Sequence, residues 1–217
     1  MNLNVKTIQT LKAFSMINPS LLFKRGSVIK TISPSKTILA KATVPDSFDR
    51  EFAIYDLMRF LGSYTMFEEA ELDFGEKSVV IGSGKEKINY LYADPAVVVS
   101  PPDKELVADK PVVTFGLTND MIQRTIKALG MIGAPEISIT GEQGTVYLEA
   151  LDSRNSSSST YRLELGNTNK TFRLIMTADK FKLLPCDYEV AVTERFAHFK
   201  GDNIEYWIVL EAFSTVD

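Results

Sequence analysis

Cysteine is almost missing from this sequence. Cys186 stands alone, so no internal disulfide is possible and a zinc site built on paired thiols finds no second ligand. That usage fits a reducing compartment, most simply a cytoplasm. Histidine is as scarce. His198 lies in the strand-like run Phe196-Ala197-His198-Phe199, and no G-x-S-x-G elbow accompanies it, so it reads as structural rather than as the base of a triad. No apolar run approaches the roughly 18 residues of a membrane helix, and Met1-Asn2-Leu3-Asn4-Val5-Lys6 lacks the apolar core of a signal peptide. A phosphate loop is missing too. Ile81-Gly82-Ser83-Gly84-Lys85 has no glycine five positions before Gly84 and carries Glu86 where Ser or Thr is needed, so it reads as a hairpin turn. No carboxylate pair is singled out for glycoside chemistry. Neither a cofactor nor a metal is expected.

What is present is an ordinary globular composition, 45% hydrophobic and 24% charged, over 217 residues, enough for one large domain or two of about 100. Lys and Arg number 24 against 28 Asp and Glu, a net charge of −4. On total charge alone this is a poor nucleic-acid binder. The placement of the charges decides the matter.

The chain reads as duplicated. Thr10-Leu11-Lys12-Ala13-Phe14-Ser15-Met16-Ile17 matches Thr125-Ile126-Lys127-Ala128-Leu129-Gly130-Met131-Ile132 at five of eight positions. A weaker pair sets Asp56-Leu57-Met58-Arg59-Phe60-Leu61 against Asp179-Lys180-Phe181-Lys182-Leu183-Leu184. The offsets, 115 and 123, differ by eight, a difference that the serine-rich stretch 153–159 is able to supply. The expected organisation is a domain over 1–94, an extended connector over 95–110 and a second domain over 111–217, the boundary region holding four prolines.

Each half is expected to run helix, three strands, short helix, further strands. Helices are predicted over Val5–Ile17, with Val5, Ile8, Leu11 and Phe14 as its apolar side, and over Ala53–Leu61, with Ile54, Leu57, Met58 and Leu61 on one face. Two more are predicted over Asn119–Leu129 and, capped by Thr177 and stopped by Pro185, over Ala178–Leu184. Val79–Ile81, Ile88–Leu91 and Ile204–Leu210 are the clearest strands. The class is α+β: two similar domains, each with two helices packed on antiparallel sheets.

The basic residues fall on these helices, opposite the apolar stripes: Lys6 and Lys12, then Arg59, then Arg124 and Lys127, then Lys180 and Lys182. The acids there, Asp56, Asp120 and Asp179, all sit in a first turn, where the helix dipole favours them. An acidic chain thus acquires a positive, helix-bearing surface. Such cations suit phosphates without reading sequence. With no aromatic side chains interleaved, stacking on single strands is disfavoured and loose contact with a duplex is favoured.

Three further segments carry a family resemblance. Ala53-Ile54-Tyr55-Asp56-Leu57 with Phe60-Leu61-Gly62, then Ala93-Asp94-Pro95 with Val98-Val99 and Pro101, then Glu211-Ala212 with Ser214-Thr215 and Asp217, together resemble the sliding clamps of T-even-type bacteriophages. Phe213 departs from the pattern, standing where the family has an acid. The resemblance implies the architecture of proliferating cell nuclear antigen: a closed head-to-tail homotrimer of six domains, twelve helices lining a central hole. It implies a non-enzymatic clamp that encircles double-stranded DNA, tethers the replicative DNA polymerase and is opened by a separate clamp-loader ATPase. The setting it implies is the cytoplasm of an infected bacterial host, with no membrane partner. Subunit contacts are expected at two strands, through Ile88, Tyr90 and Tyr92 on one and Tyr161 and Leu163 on the other. Partner peptides are expected at Leu106, Val107, Trp207 and Val209. The competing reading is a β-rich phage structural or assembly protein with no DNA role, which leaves the basic helix faces without a purpose.

Overall fold

Asn4 opens the first helix: its side chain accepts from the Lys6 amide at 2.9 Å, satisfying one of the amides a helix start leaves unpaired. In the computed structural model, which describes residues 1–102 and 106–217, this helix begins the first of two units, Met1–Asp103 and Lys104–Asp217.

Unit 1 contains α1 (Val5–Ser15), β1 (Leu21–Phe23), β2 (Gly26–Ile32), β3 (Ile38–Phe48), β4 (Phe52–Ile54), α2 (Leu57–Thr65), β5 (Glu71–Phe74), β6 (Ser78–Ser83) and β7 (Glu86–Leu91). All its strand pairs are antiparallel: β1 with β4, β2 with β3, and the meander β5-β6-β7. Along β3, Ile38, Ala40, Ala42 and Val44 are buried in alternation, the two-residue period of a sheet with one inner face. Phe23, Phe48, Phe52 and Phe74 fill one end of the core, Phe23 stacked on Phe52 at 4.5 Å. Asn18, buried just past α1, donates to Ile32 O at 2.9 Å and to Val99 O at 3.1 Å while accepting from the Ser20 amide at 3.0 Å. It therefore ties the end of α1 to β2 and to the segment after the 3-10 turn Pro95–Val97.

Unit 2 contains β8 (Val113–Leu117), α3 (Asn119–Ile132), β9 (Glu136–Glu142), β10 (Thr145–Leu151), β11 (Tyr161–Asn167), β12 (Phe172–Thr177), β13 (Tyr188–Val192), β14 (Phe196–Lys200), β15 (Ile204–Val209) and β16 (Thr215–Val216). One sheet runs β11-β10-β9-β12-β16; β8, β13, β14 and β15 pair in that order, all antiparallel. Gly133, at φ 65°, ends α3 in the left-handed conformation that a Cβ disfavours. The serine-rich stretch is the loop between β10 and β11.

Four sequence expectations change. Helix two starts at Leu57, because Ala53 and Ile54 belong to β4, paired with Leu22 and Leu21 and buried on both faces. Its inner side is Leu57, Phe60, Leu61 and Tyr64, and Met58 is 59% exposed. On α1, Val5 is 67% exposed and the buried side takes Thr7 and Thr10 with Leu11 and Phe14. The fourth helix does not form: only Ala178–Lys180 makes a 3-10 turn, and Thr177 contributes no side-chain cap. Phe181 and Leu183 are both buried, a two-residue spacing that a helix cannot place on one side. Tertiary partners also hold the Leu184 backbone: its amide donates to Tyr206 OH at 3.1 Å and its carbonyl accepts from Tyr188 OH at 2.6 Å. Among the described residues there are thus three α-helices, and a turn replaces the second helix of unit 2.

A buried polar knot stiffens the margin of the β11-β10-β9 sheet. Glu149 accepts from Ser138 at 2.8 Å, Thr140 at 2.6 Å and Arg162 Nε at 2.7 Å. Arg162 also reaches Glu142 at 2.6 Å and lies 4.5 Å over the Tyr147 ring. Burial raises the Glu149 pKa, but the hydrogen bonds from Thr140, Ser138 and Arg162, with the Arg162 charge, outweigh it and hold the carboxyl below its usual 4.5. A depressed carboxyl contributes stability that is present above the unfolded-state value and lost as pH falls through the folded one. Glu149→Gln should therefore cost about 1–3 kcal/mol at pH 7, with the gap to wild type closing as denaturant melts are taken below pH 4.5.

Candidate nucleic-acid interface

Each α-helix buries one stripe, and successive side chains turn by about 100°. On α1, burial of Thr7, Thr10, Leu11 and Phe14 leaves Val5, Gln9, Lys12 and Met16 outward, with Lys6 at the edge of that side. On α2, burial of Leu57, Phe60, Leu61 and Tyr64 leaves Arg59, Gly62 and Met66 outward. On α3, Ile122 and Thr125 go in and Asp120, Arg124, Lys127 and Met131 face solvent. The duplication is visible in detail: Thr10 and Thr125 are both buried, and each hydroxyl donates to the carbonyl four residues back at 2.8 Å.

Two of the cations are held by their own helices. Asp56 caps α2, accepting from the Arg59 amide at 2.9 Å, while its other oxygen meets Arg59 Nε at 3.0 Å. Asp120 meets Arg124 Nε at 2.9 Å, one turn away. Lys6, Lys12 and Lys127 are exposed. In unit 1, α1 packs against α2, Ser15 Oγ lying 3.0 Å from Met58 Sδ, so Lys6, Lys12 and Arg59 belong to adjoining helices. Arg124 and Lys127 share one side of α3 in unit 2. Lys180 is different. Its Nζ lies 2.6 Å from Glu211 Oε1 and 3.3 Å from Val209 O, and its side chain is only 13% exposed, so its charge is spent inside unit 2. Lys182 is half-buried, outside any helix.

The two strands expected at subunit contacts both lie at sheet margins: β7 ends the β5-β6-β7 meander and β11 ends its five-stranded sheet. Tyr90 and Tyr92 turn inward, Tyr90 packing edge-on to Phe60 at 5.5 Å and Tyr92 against Phe52 at 5.2 Å. Ile88, Tyr161 and Leu163 are half-buried. The exposed apolar side chain of β7 is Leu91, at 66%, which sequence reasoning passed over. Alternation along the strand was the signal for it, since Leu91 is out of phase with Ile88 and Tyr90 taken together. Sequence reasoning also missed the Asp56–Arg59 and Asp120–Arg124 pairs, although their spacings announce them.

Of the four residues expected at a partner pocket, Leu106, Val107 and Val209 are exposed and Trp207 is 6% exposed. The Trp207 indole stacks on His198 at 4.6 Å, and His198 Nε2 lies 2.9 Å from Glu205. Trp207 Nε1 is buried with no hydrogen-bond acceptor among the described residues. Cys186 is half-buried, and burial pushes its thiol pKa up, away from a reactive thiolate.

The fold has close counterparts among solved structures. Proliferating cell nuclear antigen of Thermococcus kodakaraensis superposes with a TM-score of 0.68 at 15% identity, covering 95% of this chain and 96% of that one. The Entamoeba histolytica protein gives 0.68 at 12% identity, with 94% of each chain covered. The class defined by this likeness is the fold of proliferating cell nuclear antigen. In sequence, residues 4–100 match the family described as DNA polymerase processivity factor, and residues 114–212 match the gp45 sliding clamp, C-terminal family. The sliding clamp of Vibrio phage KVP40 is 33% identical over 98% of this chain and 100% of its own length; that of Enterobacteria phage T4 is 28% identical over the full length of both. The chain belongs to the family of T4-type bacteriophage sliding clamps, DNA polymerase processivity factors.

Asp56 is both cap and counter-charge here. Asp56→Ala should destabilise unit 1 by about 1 kcal/mol through the lost cap, read as a lower midpoint of thermal unfolding, while Asp56→Asn keeps the cap and loses little.

Proposed function

We propose that three copies of this chain close head to tail into a ring around duplex DNA and hold the replicative DNA polymerase on its template, without chemistry of their own. The observation that carries this reading is the outward placement of Lys12, Arg59, Arg124 and Lys127 on helices whose opposite sides are packed on antiparallel sheets. Those cations neutralise phosphates and read no bases, so contact is weak, sequence-blind and salt-dependent. Lys6 joins the set from the edge of α1, and Lys182 from the segment before Pro185. Lys180 is left out, because its side chain is largely buried as well as paired with Glu211, whereas the paired Arg59 and Arg124 stay exposed.

Retention on DNA is then topological, and a separate loader ATPase has to open the ring. The domains are 1–94 and 111–217, joined by a connector over 95–110. The margins β7 and β11 supply unlike edges for a heterologous contact, the kind that closes a ring. Backbone pairing there involves Ile88, Tyr90, Tyr161 and Leu163, with Tyr92 just beyond β7, and Leu91 adds an exposed apolar side chain. Partner peptides would engage Leu106, Val107, Trp207 and Val209 on unit 2. The working compartment is the cytoplasm of the infected host.

Two outcomes are expected. Arg124→Glu with Lys127→Glu should sharply reduce clamp-dependent DNA synthesis on circular templates. The same pair should lower unfolding stability by only about 1 kcal/mol, for the lost Asp120 pair and the like-charge neighbours that replace it; a synthesis rate equal to wild type would remove the DNA-facing assignment. Sedimentation of the wild-type protein should give the mass of three chains, and Leu91→Asp should move the population toward single chains without changing its circular dichroism.

A further inference from the structure

The outward stripes of the three α-helices end alike. Val5, Gln9, Lys12 and Met16 on α1 are spaced i, i+4, i+7 and i+11; Asp120, Arg124, Lys127 and Met131 on α3 repeat that spacing. On α2, Arg59, Gly62 and Met66 take its last three places. Each stripe therefore closes on a methionine at the helix C-terminus, and these are exposed: Met16 61%, Met66 63% and Met131 76%. Stability favours a cation at that position, where the dipole is negative and the last carbonyls are unpaired. Phosphate binding favours a cation as well. Methionine at all three ends satisfies neither preference.

We infer that Met16, Met66 and Met131 are DNA-contact residues of the ring, apolar bearings that touch the sugar–phosphate backbone without bonding to it. The inference rests on the clamp reading above. The occupant is duplex DNA because the same stripes carry Lys12, Arg59 and Lys127, one or two turns before each methionine. A helix C-terminus repels a phosphate. A long side chain in a helix leans back over the preceding turn, so methionine covers the last turn with a flexible, polarisable thioether that donates no hydrogen bond. Its contacts with deoxyribose carbons have no direction and no register, so nothing has to break when the duplex shifts by one phosphate. The cations supply attraction, and the methionines keep that attraction from locking in place.

The test replaces all three by glutamine, which matches methionine in length and helix propensity but adds a donor and an acceptor. Rings of the full chain are loaded on long duplex DNA, and their one-dimensional diffusion is followed by single-molecule imaging. The glutamine triple is expected to slow diffusion by roughly three- to tenfold, the factor for one added hydrogen bond per step. A triple leucine variant, apolar but stiffer, is expected to diffuse as wild type. Equal diffusion of the glutamine and wild-type rings overturns the inference, as does equal slowing by leucine. If the glutamine triple does not fold, Met131→Gln alone decides, at the most exposed of the three. A wild-type protein that loads but is not retained on circular DNA removes the clamp reading itself, a result separate from any difference among variants.

Discussion

Everything outward on the helices follows from what they bury. Leu11 and Phe14 on α1, Leu57, Phe60 and Leu61 on α2 and Ile122 on α3 are almost completely removed from water. Fully burying each such side chain is worth about 1.5–3 kcal/mol, far more than any exposed cation gains from its surroundings. The rotational setting of a helix is therefore fixed from the inside, and the charges are carried to wherever the remaining angles point. Thr10 and Thr125 sharpen the fit, since small hydroxylated side chains that donate to their own helix lie against its neighbours with their own hydroxyls paired.

The same constraint explains how an acidic protein presents cations. None of the three α-helices holds an acid beyond its first turn or cap, while Glu68, Glu69 and Glu71 lie past the end of α2. Net charge describes the chain; the side of a helix that is left over describes the surface.

The likeness of α1 and α3 is legible in sequence because identical residues sit at buried and exposed positions alike, and the hairpins announce themselves through glycine and asparagine between β-rich runs. Helix boundaries are less legible. Ala53 and Ile54 look helical beside Leu57, yet antiparallel pairing with Leu22 and Leu21 gives them to a strand, and partners some thirty residues away are invisible to local periodicity. The missing fourth helix has the same cause, since Tyr188 and Tyr206 take the Leu184 backbone from a distance. At the site, the positions of Lys12, Arg59, Arg124 and Lys127 were readable from spacing, whereas the inward turn of Tyr90 and Tyr92 depended on Phe60 and Phe52, which no window around β7 contains.

The paired arginines have a consequence for motion. Arg59 and Arg124 each arrive with a carboxylate already in place, three or four residues away on the same helix. On the proposed reading, a passing phosphate does not fill an empty site. It swaps with a resident anion, and the resident returns as the phosphate leaves. Exchange of this kind costs little in either direction, so the energy along the duplex axis stays shallow even though each arginine's contact is between opposite charges.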